Sequence, residues 1–276
     1  MKIAVIILNY NSSAYCRKCI GFLKSQKGVE LEIIVVDNCS REDDRENIEE
    51  LCKDQECTFI AHKENRGYSA GNNIGLRYAA DNGYEYAVIV NPDMEFPQSE
   101  CFKKLVDLME KDKTIAVCSS DIITPDINGI HQNPQYCCGI LEELFWPLQY
   151  LKNYKTKMYP VTDWRKSGYC EMLTGCFLMV RISFLKQVNF LDEKVFLYCE
   201  ESILSKMVIR NGAKMYYFKD AIAIHHHINN EKGDPQKNLA ILLKSKKYYF
   251  SNYCEYNKFL LSIVLVSGKI HNYFLF

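Results

Sequence analysis

The stretch Tyr86-Ala87-Val88-Ile89-Val90-Asn91-Pro92-Asp93 passes from apolar residues into a polar turn. Its first five residues are apolar without alternation, which is typical of a parallel strand covered on both faces. Pro92 ends the run, because proline has no amide hydrogen to give to a sheet. The pattern predicts that Asp93 is held at the carboxyl end of a buried strand, where open α/β sheets bind ligands. Asn-Pro-Asp is also an ordinary turn sequence, and this segment alone favours that alternative.

Similar apolar runs occur on both sides of this stretch and alternate with helical patterns. Predicted strands cover Ile3 to Leu8, Leu31 to Val36, Thr58 to Ala61, Ile115 to Cys118 and Tyr216 to Ile224, and regular structure also resumes at Glu171 to Val180. Helical patterns cover Ser13 to Gln26, Arg41 to Lys53 and Gln98 to Asp112. This alternation predicts an α/β fold, in which a mostly parallel sheet carries helices on both faces.

The composition limits the binding partners and the cellular location that we expect for this protein. A chain of 276 residues can bury a full core. Its 34 Lys and Arg balance 34 Asp and Glu, so it lacks a basic field and we expect no nucleic-acid partner. Thirteen cysteines are scattered without the paired CxxC spacing of a zinc site, and no signal peptide is recognised. We therefore expect a reducing, cytoplasmic location.

Three predicted strands end in polar residues. The strand ends are Asn9-Tyr10-Asn11, Asp37-Asn38-Cys39-Ser40 and Asn91-Pro92-Asp93. Because the carboxyl ends of parallel strands share one edge of a sheet, we expect these side chains to converge. One such end is normally a turn or a helix cap, but three together favour a polar ligand, for which a nucleotide is the natural candidate.

A glycine-rich segment lies between the second and third of these ends. It reads Asn65-Arg66-Gly67-Tyr68-Ser69-Ala70-Gly71-Asn72-Asn73-Ile74-Gly75, which matches neither GxGxxG nor a Walker loop. One interpretation is close packing of a helix on the sheet, and for Gly75 we prefer it. For Asn65, Gly67 and Asn72 the alternative is contact with a diphosphate or its sugar.

Two further segments carry titratable side chains. Glu200 and Glu201 open a predicted helix after an aromatic approach; from charge alone they are solvated residues that compensate the helix dipole. A partly buried carboxylate near a reacting hydroxyl is also what general-base catalysis requires. The strand at 216–224 runs into His225-His226-His227, of which only His225 and His227 share a face, so one metal ligand is expected there.

Taken in order, these segments resemble the inverting family 2 glycosyltransferases with a GT-A fold, particularly rhamnosyltransferase-like bacterial members. The resemblance runs from Lys2 to about His227 and adds Leu173-Thr174-Gly175-Cys176-Phe177 to the motifs above. It implies a hexosyltransferase-type enzyme (EC 2.4) that moves a sugar from a UDP-, dTDP- or GDP-sugar to a glycan or lipid-linked acceptor with inversion, in bacterial surface polysaccharide biosynthesis.

The resemblance also implies roles for single residues. Asp37 would contact the nucleobase, and Asp93 with His225 would hold Mn²⁺ or Mg²⁺ on the donor diphosphate. Glu201 would be the general base, supported by Glu200. The remaining expected donor-binding residues are Asn9, Tyr10, Asn11, Asn65, Gly67, Asn72 and Asn91.

Departures from the family pattern leave a second function open. Relatives often carry an acidic residue where this chain has Ile203, and Arg-Asn where it has Ser251-Asn252. Asn91, in place of a first aspartate, predicts weaker or more substrate-dependent metal binding. The alternative is therefore a catalytically weakened sugar-nucleotide-binding or scaffold protein, which donor turnover would distinguish from an enzyme.

The expected organisation is a catalytic domain, residues 1–230, followed by a C-terminal tail, residues 231–276. Within the domain, residues 1–95 form the nucleotide-sugar half and 96–230 the acceptor half. An aromatic stretch over 121–170 looks like an inserted surface or lid, with core packing as the alternative for any single ring; it contains Trp146, Pro147, Tyr150, Tyr154, Tyr159, Pro160 and Trp164.

The tail is basic and aromatic. Its lysines precede aromatic residues, in the order Lys244, Lys246, Lys247, Tyr248, Tyr249 and Phe250. The apolar run from Phe259 to Val266 is far shorter than the roughly 20 residues of a spanning helix. We expect the tail to lie on the inner face of the plasma membrane, with a last helix packed on the core as the alternative.

Overall fold

The computed structural model describes residues 1–125, 129–137, 163–226 and 234–254, together with 256, 259–260, 262–263 and 266. Trp164 is described, whereas the rest of the aromatic stretch from 138 to 162 and His227 lie outside these residues. The predicted α/β fold is confirmed.

A single sheet forms the centre of the molecule. Its strands are β1 (Lys2–Asn9), β2 (Glu30–Asp37), β3 (Thr58–Ala61), β4 (Tyr86–Val90), β5 (Met94–Glu95), β6 (Ile115–Thr124), β7 (Ile130–His131), β8 (Gly168–Cys170), β9 (Phe177–Arg181) and β10 (Lys214–His225). The order is β3-β2-β1-β4-β9-β6-β10-β5, with β7 on β6 and β8 on β10. Strands β1 to β4 are mutually parallel, as are β6 and β10, and β9 runs antiparallel between these two groups.

Helices cover both faces of the sheet. They are α1 (Ser13–Lys24), α2 (Glu42–Asp54), α3 (Tyr68–Asp81), α4 (Cys101–Lys111), α5 (Ile182–Gln187), α6 (Glu200–Arg210) and α7 (Pro235–Asn252). Side chains of a strand alternate between faces, so Ile3, Val5 and Ile7 pack with α1, α2 and α4, while Ala4 and Ile6 pack with α3. The second face also carries α5 and α6.

Two glycines let α3 lie directly on the sheet. A Cβ at Gly75 would stand 2.7 Å from the Ile6 side chain, and one at Gly71 would stand 2.6 Å from Leu8. Both distances are shorter than a carbon–carbon contact, so any side chain would push the helix away. The interpretation of Gly75 as a packing residue is therefore confirmed.

The last described helix packs on the body of the protein. Tyr249 and Phe250 of α7 are 4% and 2% exposed and share a core cluster with Val195, Ile203 and Met207. For residues 235–252 the packing alternative is therefore correct, because the aromatic rings expected on a membrane are buried instead. Ile203, which replaces a polar residue of relatives, belongs to this cluster. Among the described residues, no helix is both long and apolar enough to span a bilayer.

Candidate functional site

The polar ends of β1 and β2 meet as expected. The strands pair in register, so that Asn9 stands opposite Asp37. The Asn9 amide nitrogen faces three acceptors, Asp37 Oδ1 at 3.0 Å, Ser40 Oγ at 3.1 Å and Asp44 Oδ2 at 2.8 Å. The side-chain oxygen of Asn9, Oδ1, accepts from the backbone amide of Ser12 at 3.2 Å. Asn9 thus ties together the loops that follow both strands.

This network bears on the roles expected of Asn9 and Asp37. Both are 0% exposed. The second Asp37 oxygen accepts from the Ser40 amide at 3.2 Å, so both carboxylate oxygens have internal partners. Each oxygen of an ionised carboxylate has two lone pairs, so these bonds leave Asp37 further acceptor positions. Asn9 and Asp37 hold the loops that follow both strands, and their contact with the donor stays a prediction.

Asp44, in the first turn of α2, completes the network. It accepts from the Ser13 amide at 3.0 Å and from the Ser13 hydroxyl at 2.7 Å. Burial acts to raise the pKa of Asp44, but the hydrogen bonds from Asn9 and Ser13 outweigh it and leave that pKa lowered. The ionised carboxylate is the stable form at this edge.

Other groups at the same edge face outward or keep an acceptor available. Tyr10 is 48% exposed. Asn11 has a positive φ of 53° and accepts from the Arg41 amide at 2.9 Å. Asn38 is 3% exposed and its Oδ1 has no hydrogen-bond partner. Sequence reasoning had passed over Asn38, although it lies inside the quoted strand end.

Asn65 and Gly67 hold the loop beside Asn38. Asn65 Oδ1 accepts from Asn38 Nδ2 at 3.0 Å and from the Gly67 amide at 2.9 Å. Gly67 has a φ of +96°, and a Cβ there would stand 2.1 Å from the Phe196 carbonyl oxygen, so only glycine fits. Asn72 is 0% exposed, its Nδ2 donates to the Tyr68 carbonyl at 3.0 Å, and its Oδ1 has no hydrogen-bond partner, so its contact with the donor stays a prediction.

The end of β4 and the end of β10 form the second part of the site. β5 pairs with β10 so that His225 stands opposite Met94, beside Asp93. Asp93 Oδ1 and His225 Nε2 are 3.3 Å apart, and their side chains are only 8% and 9% exposed. Two adjacent ligands of one octahedral cation, each bonded at roughly 2.1 Å, stand about 3.0 Å apart. The pair therefore fits the expected Mn²⁺ or Mg²⁺, although among the described residues no group of three His, Cys, Asp or Glu could hold one.

Gln132 orients this histidine and was not identified from the sequence. Its side-chain amide lies 3.1 Å from His225 Nδ1 and donates to Thr124 Oγ1 at 2.7 Å. A partner on the second ring nitrogen fixes the plane of an imidazole and leaves the first nitrogen directed at Asp93. No local motif marks Gln132, because the contact depends on the pairing of β7 with β6.

The glutamate pair begins α6 on a strained backbone. Tyr198 and Cys199 both have positive φ, 72° and 67°, which non-glycine residues rarely adopt. Glu201 Oε1 accepts from the Gly175 amide at 3.2 Å. The Tyr68 hydroxyl donates to the Gly175 carbonyl at 2.7 Å. Burial, together with the charge of Glu201, raises the pKa of Tyr68 well above the usual range. Tyr68 is therefore a neutral neighbour of the carboxylates.

Glu200 is half-buried, like Glu201. Its Oε1 is buried without a hydrogen-bond partner. Burial, and then the charge of Glu201, raise the pKa of Glu200 to about 7. Both glutamates line a small cavity of ≈ 20 Å³ with Tyr68 and Gly175. A carboxyl group with a raised pKa in such a cavity, beside a second carboxylate, is typical of acid–base sites.

A two-residue backbone segment connects the two parts of the site. The Gly175 amide donates to Glu201, and the next carbonyl, that of Cys176, accepts from the Asn91 amide at 2.8 Å. Asn91 in turn precedes Asp93 by two residues. The glutamate pair and the Asp93–His225 pair are therefore held to one short piece of chain.

The C-terminal helix supports the strained loop. Asp192 Oδ2 accepts from the Tyr248 hydroxyl at 2.7 Å and the Tyr253 hydroxyl at 2.6 Å. The Ser245 hydroxyl donates to the Leu197 carbonyl at 2.7 Å, one residue before the positive-φ pair. Ser251, at the position where the resemblance implies an arginine, is exposed on this helix.

Among known protein families, residues 4–186 match the model of Glycosyl transferase family 2. The hexosyltransferase Agl10 of low-salt glycan biosynthesis in Haloferax volcanii is 26% identical over 200 residues, covering 72% of this chain and 59% of that protein. The rhamnosyltransferase WbbL of Escherichia coli K12 is 22% identical, covering 82% of this chain and 84% of the relative. The glycosyltransferase GlyA of Streptococcus pneumoniae is 31% identical, but the match spans 38% of this chain and 15% of GlyA.

Solved structures share the fold at low identity. The mannosyltransferase PcManGT of Pyrobaculum calidifontis, in complex with GDP-Man and Mn²⁺, has a TM-score of 0.63 at 14% identity and covers 97% of this chain and 73% of its own. TarS 1–349 of S. aureus, in complex with UDP-GlcNAc, has a TM-score of 0.63 at 17% identity and covers 100% of this chain and 73% of its own.

Proposed function

The chain belongs to glycosyl transferase family 2, and from that membership we propose that it transfers a sugar from a nucleotide diphosphate sugar to a glycan or lipid-linked acceptor, with inversion. The main support is the segment 175–176, which is hydrogen-bonded both to Glu201 and to the strand end that carries Asp93. Sugar transfer needs a group that stabilises the leaving diphosphate and a base that takes the proton of the acceptor. Both must reach the same pair of bound substrates.

Glu201 is proposed as the general base. It takes the proton of the acceptor hydroxyl as that oxygen bonds to the anomeric carbon, while the bond to the diphosphate breaks on the opposite face and the configuration inverts. Glu200 is proposed to support it. With a pKa raised to about 7, Glu200 keeps its proton over part of the neutral range, which reduces like-charge repulsion on an ionised Glu201.

Asp93 and His225 are proposed to hold Mn²⁺ or Mg²⁺. The 3.3 Å separation of their ligand atoms supports this assignment. When bound, such an ion neutralises negative charge on a leaving diphosphate, and Mg²⁺ in particular typically takes one or two carboxylates and completes its shell with phosphates and water. The neighbouring structure of PcManGT, solved with GDP-Man and Mn²⁺, agrees with this chemistry.

The donor nucleotide is proposed to lie over the ends of β1 and β2. Tyr10, Asn11 and Asn65 border this edge, and the unpartnered Asn38 Oδ1 is an acceptor for an N–H of the base. An unsatisfied buried acceptor costs free energy that a ligand donor recovers. Asn38 is proposed to act beside Asp37, whose contact with the nucleobase stays a prediction. The similar structures of TarS and PcManGT were solved with UDP-GlcNAc and GDP-Man, so both uridine and guanosine donors are candidates.

The biological role proposed is glycan assembly, in particular bacterial surface polysaccharide biosynthesis. Its support is the description of one relative as an enzyme of glycan biosynthesis and of another as a rhamnosyltransferase. A cytoplasmic location belongs to the same proposal, and the buried rings of α7, Tyr249 and Phe250, take no part in any contact of the tail with the inner membrane face.

The donor is identified by thermal unfolding with a panel of UDP-, dTDP- and GDP-sugars, each with Mn²⁺, with Mg²⁺ and with chelator. A ligand of the native state at 100 times its Kd stabilises it by about 2.7 kcal/mol. One nucleotide class should raise the midpoint only when metal is present. Slow hydrolysis of that donor then separates an enzyme from the alternative, a sugar-nucleotide-binding scaffold, and absence of any shift across the panel contradicts both.

A further inference from the structure

Trp164 presents one face of its indole ring to solvent. It stacks on the His131 imidazole with centroids 3.6 Å apart and planes 7° from parallel, yet it remains 44% exposed. Single exposed aromatic rings are common on protein surfaces and need no ligand to explain them. The surroundings of this ring distinguish it.

The ring is fixed from behind. His131 Nδ1 lies 2.8 Å and 3.0 Å from the two oxygens of Asp121, which is 5% exposed. The buried Tyr217 hydroxyl donates to the Trp164 carbonyl at 2.7 Å. A flat surface that is already ordered binds with little loss of conformational entropy.

Three consecutive residues connect this ring to both parts of the proposed active site. His131 backs Trp164, Gln132 contacts His225, and Asn133 Oδ1 accepts from the Thr174 amide at 2.9 Å. Thr174 precedes Gly175, which bonds Glu201. Consecutive Cα atoms are about 3.8 Å apart, so the three points of attachment lie within roughly 8 Å along the backbone.

The ring lies on the glutamate side of the sheet. Asp121 shares a face of β6 with Val117, and Val117 packs in the same core cluster as Leu204 of α6. Ala223, which shares a face of β10 with His225, belongs to the opposite cluster. Trp164 and the residues behind it therefore lie on the side of the sheet that carries the proposed base, and His225 of the proposed metal site lies on the opposite side.

We propose that the exposed face of Trp164, backed by His131 and Asp121, is a platform on which a pyranose ring of the acceptor stacks. The inference rests on the proposed function and specifies its acceptor: a sugar with an apolar C–H face, placed near Glu201. Pyranose rings carry such faces, and an aromatic ring binds them by burying apolar area while their hydroxyls stay in water.

The first test measures transfer from the donor identified above to methyl glycosides of glucose, galactose, mannose, rhamnose and N-acetylglucosamine. Trp164→Ala should raise the acceptor KM by about 3- to 10-fold, as expected for loss of a stacking contact, with kcat and the donor KM unchanged. Trp164→Phe should stay within about twofold of the parent. Ile130→Ala, an equally exposed neighbour on β7, controls for local disturbance. An unchanged acceptor KM in Trp164→Ala, or equal damage in the three variants, overturns the platform.

The second test needs no catalysis. The chain has two tryptophans, so Trp146→Phe leaves Trp164 as the only indole fluorophore. Saturable change in its emission with one of the glycosides supports the platform, and no response to any of them overturns it. If no nucleotide sugar binds while this titration still saturates, the proposed function fails and the sugar platform stands.

Discussion

The carboxylates at the ends of β1 and β2 differ from those at the start of α6. Asp37 and Asp44 receive hydrogen bonds from neighbouring amides and hydroxyls, and the pKa of Asp44 is lowered, after burial alone would have raised it, by the bonds from Asn9 and Ser13. Glu200 has a buried, unpartnered oxygen, and burial followed by the charge of Glu201 raises its pKa to about 7. The backbone before it is also strained.

The difference separates a hydrogen-bonded network from the proposed catalytic pair. A carboxylate whose two oxygens both accept internal hydrogen bonds stabilises the fold, whereas a carboxylate with a buried, unpartnered oxygen on a strained backbone costs stability and persists when the surroundings hold it. Here the surroundings include α7 and the residue after it, through the bonds of Tyr248 and Tyr253 to Asp192. The roles proposed for the two sets of carboxylates follow this difference in hydrogen bonding.

The largest effect is expected at Glu201. Glu201→Gln should lower kcat by about 10²- to 10⁴-fold, as removal of a positioned base does, and leave donor affinity unchanged because the base meets the acceptor. Steady-state transfer and donor titration measure the two quantities. Glu42→Gln, an exposed glutamate in the first turn of α2, is the control and should be near the parent. Normal turnover of Glu201→Gln contradicts the assignment, and loss confined to Glu200→Gln moves it by one residue.

Asp93 comes next. Asp93→Asn should abolish the metal-dependent part of donor binding, and His225→Ala should weaken it less, because a cation with phosphate and water ligands tolerates loss of one imidazole. Calorimetric titration of the donor with and without Mn²⁺ gives both affinities. Full activity of the parent protein in excess chelator would exclude the metal role.

Asn9 tests the scaffold side of the comparison. Asn9→Ala should lower the free energy of unfolding by about 2 to 4 kcal/mol, since it removes the donor to Oδ1 of the buried Asp37 and to Oδ2 of the half-buried Asp44. Asn82→Ala, which removes one exposed hydrogen bond to the Tyr78 carbonyl, should cost less than about 0.5 kcal/mol. Urea unfolding compares them. Equal midpoints for the two variants would show that the network contributes no special stability.

The pH dependence of stability tests the raised pKa of Glu200. Its pKa, raised by burial and by Glu201 from 4.5 to about 7, means that the folded state holds a proton the unfolded chain has lost. The contribution of Glu200 to the free energy of unfolding is therefore complete below about pH 4.5. It is lost as the pH rises through 7, by at most roughly 3 kcal/mol. The midpoint of thermal unfolding should fall less between pH 5 and pH 8 in Glu200→Gln than in the parent. Parallel pH curves would show that Glu200 titrates normally.

Much of the framework was predictable because its signals are local. Apolar runs located the strands, and β-strand periodicity with polar ends placed Asn9, Asp37 and Asn91 at one edge. Roles within that edge were not predictable from residue type. Asn9 and Asp37 are buried and paired with each other, Asn72 is buried in α3, and Asn38, Asp44 and Gln132 were passed over or interpreted as surface residues.

The sequence by itself determined the longer strands and helices and the polar groups that follow β1, β2 and β4, because burial on one or two faces imposes a pattern on neighbouring residues. It did not indicate the short strands β5, β7 and β8 or the helix α5. Only the tertiary structure decided the pairings. Asp93 meets His225 because β5 returns antiparallel to β10, Trp164 meets His131 because β7 pairs with β6, and α7 packs on Ile203 rather than on a membrane surface. Such contacts depend on strand order and on distant side chains, about which a local period carries no information.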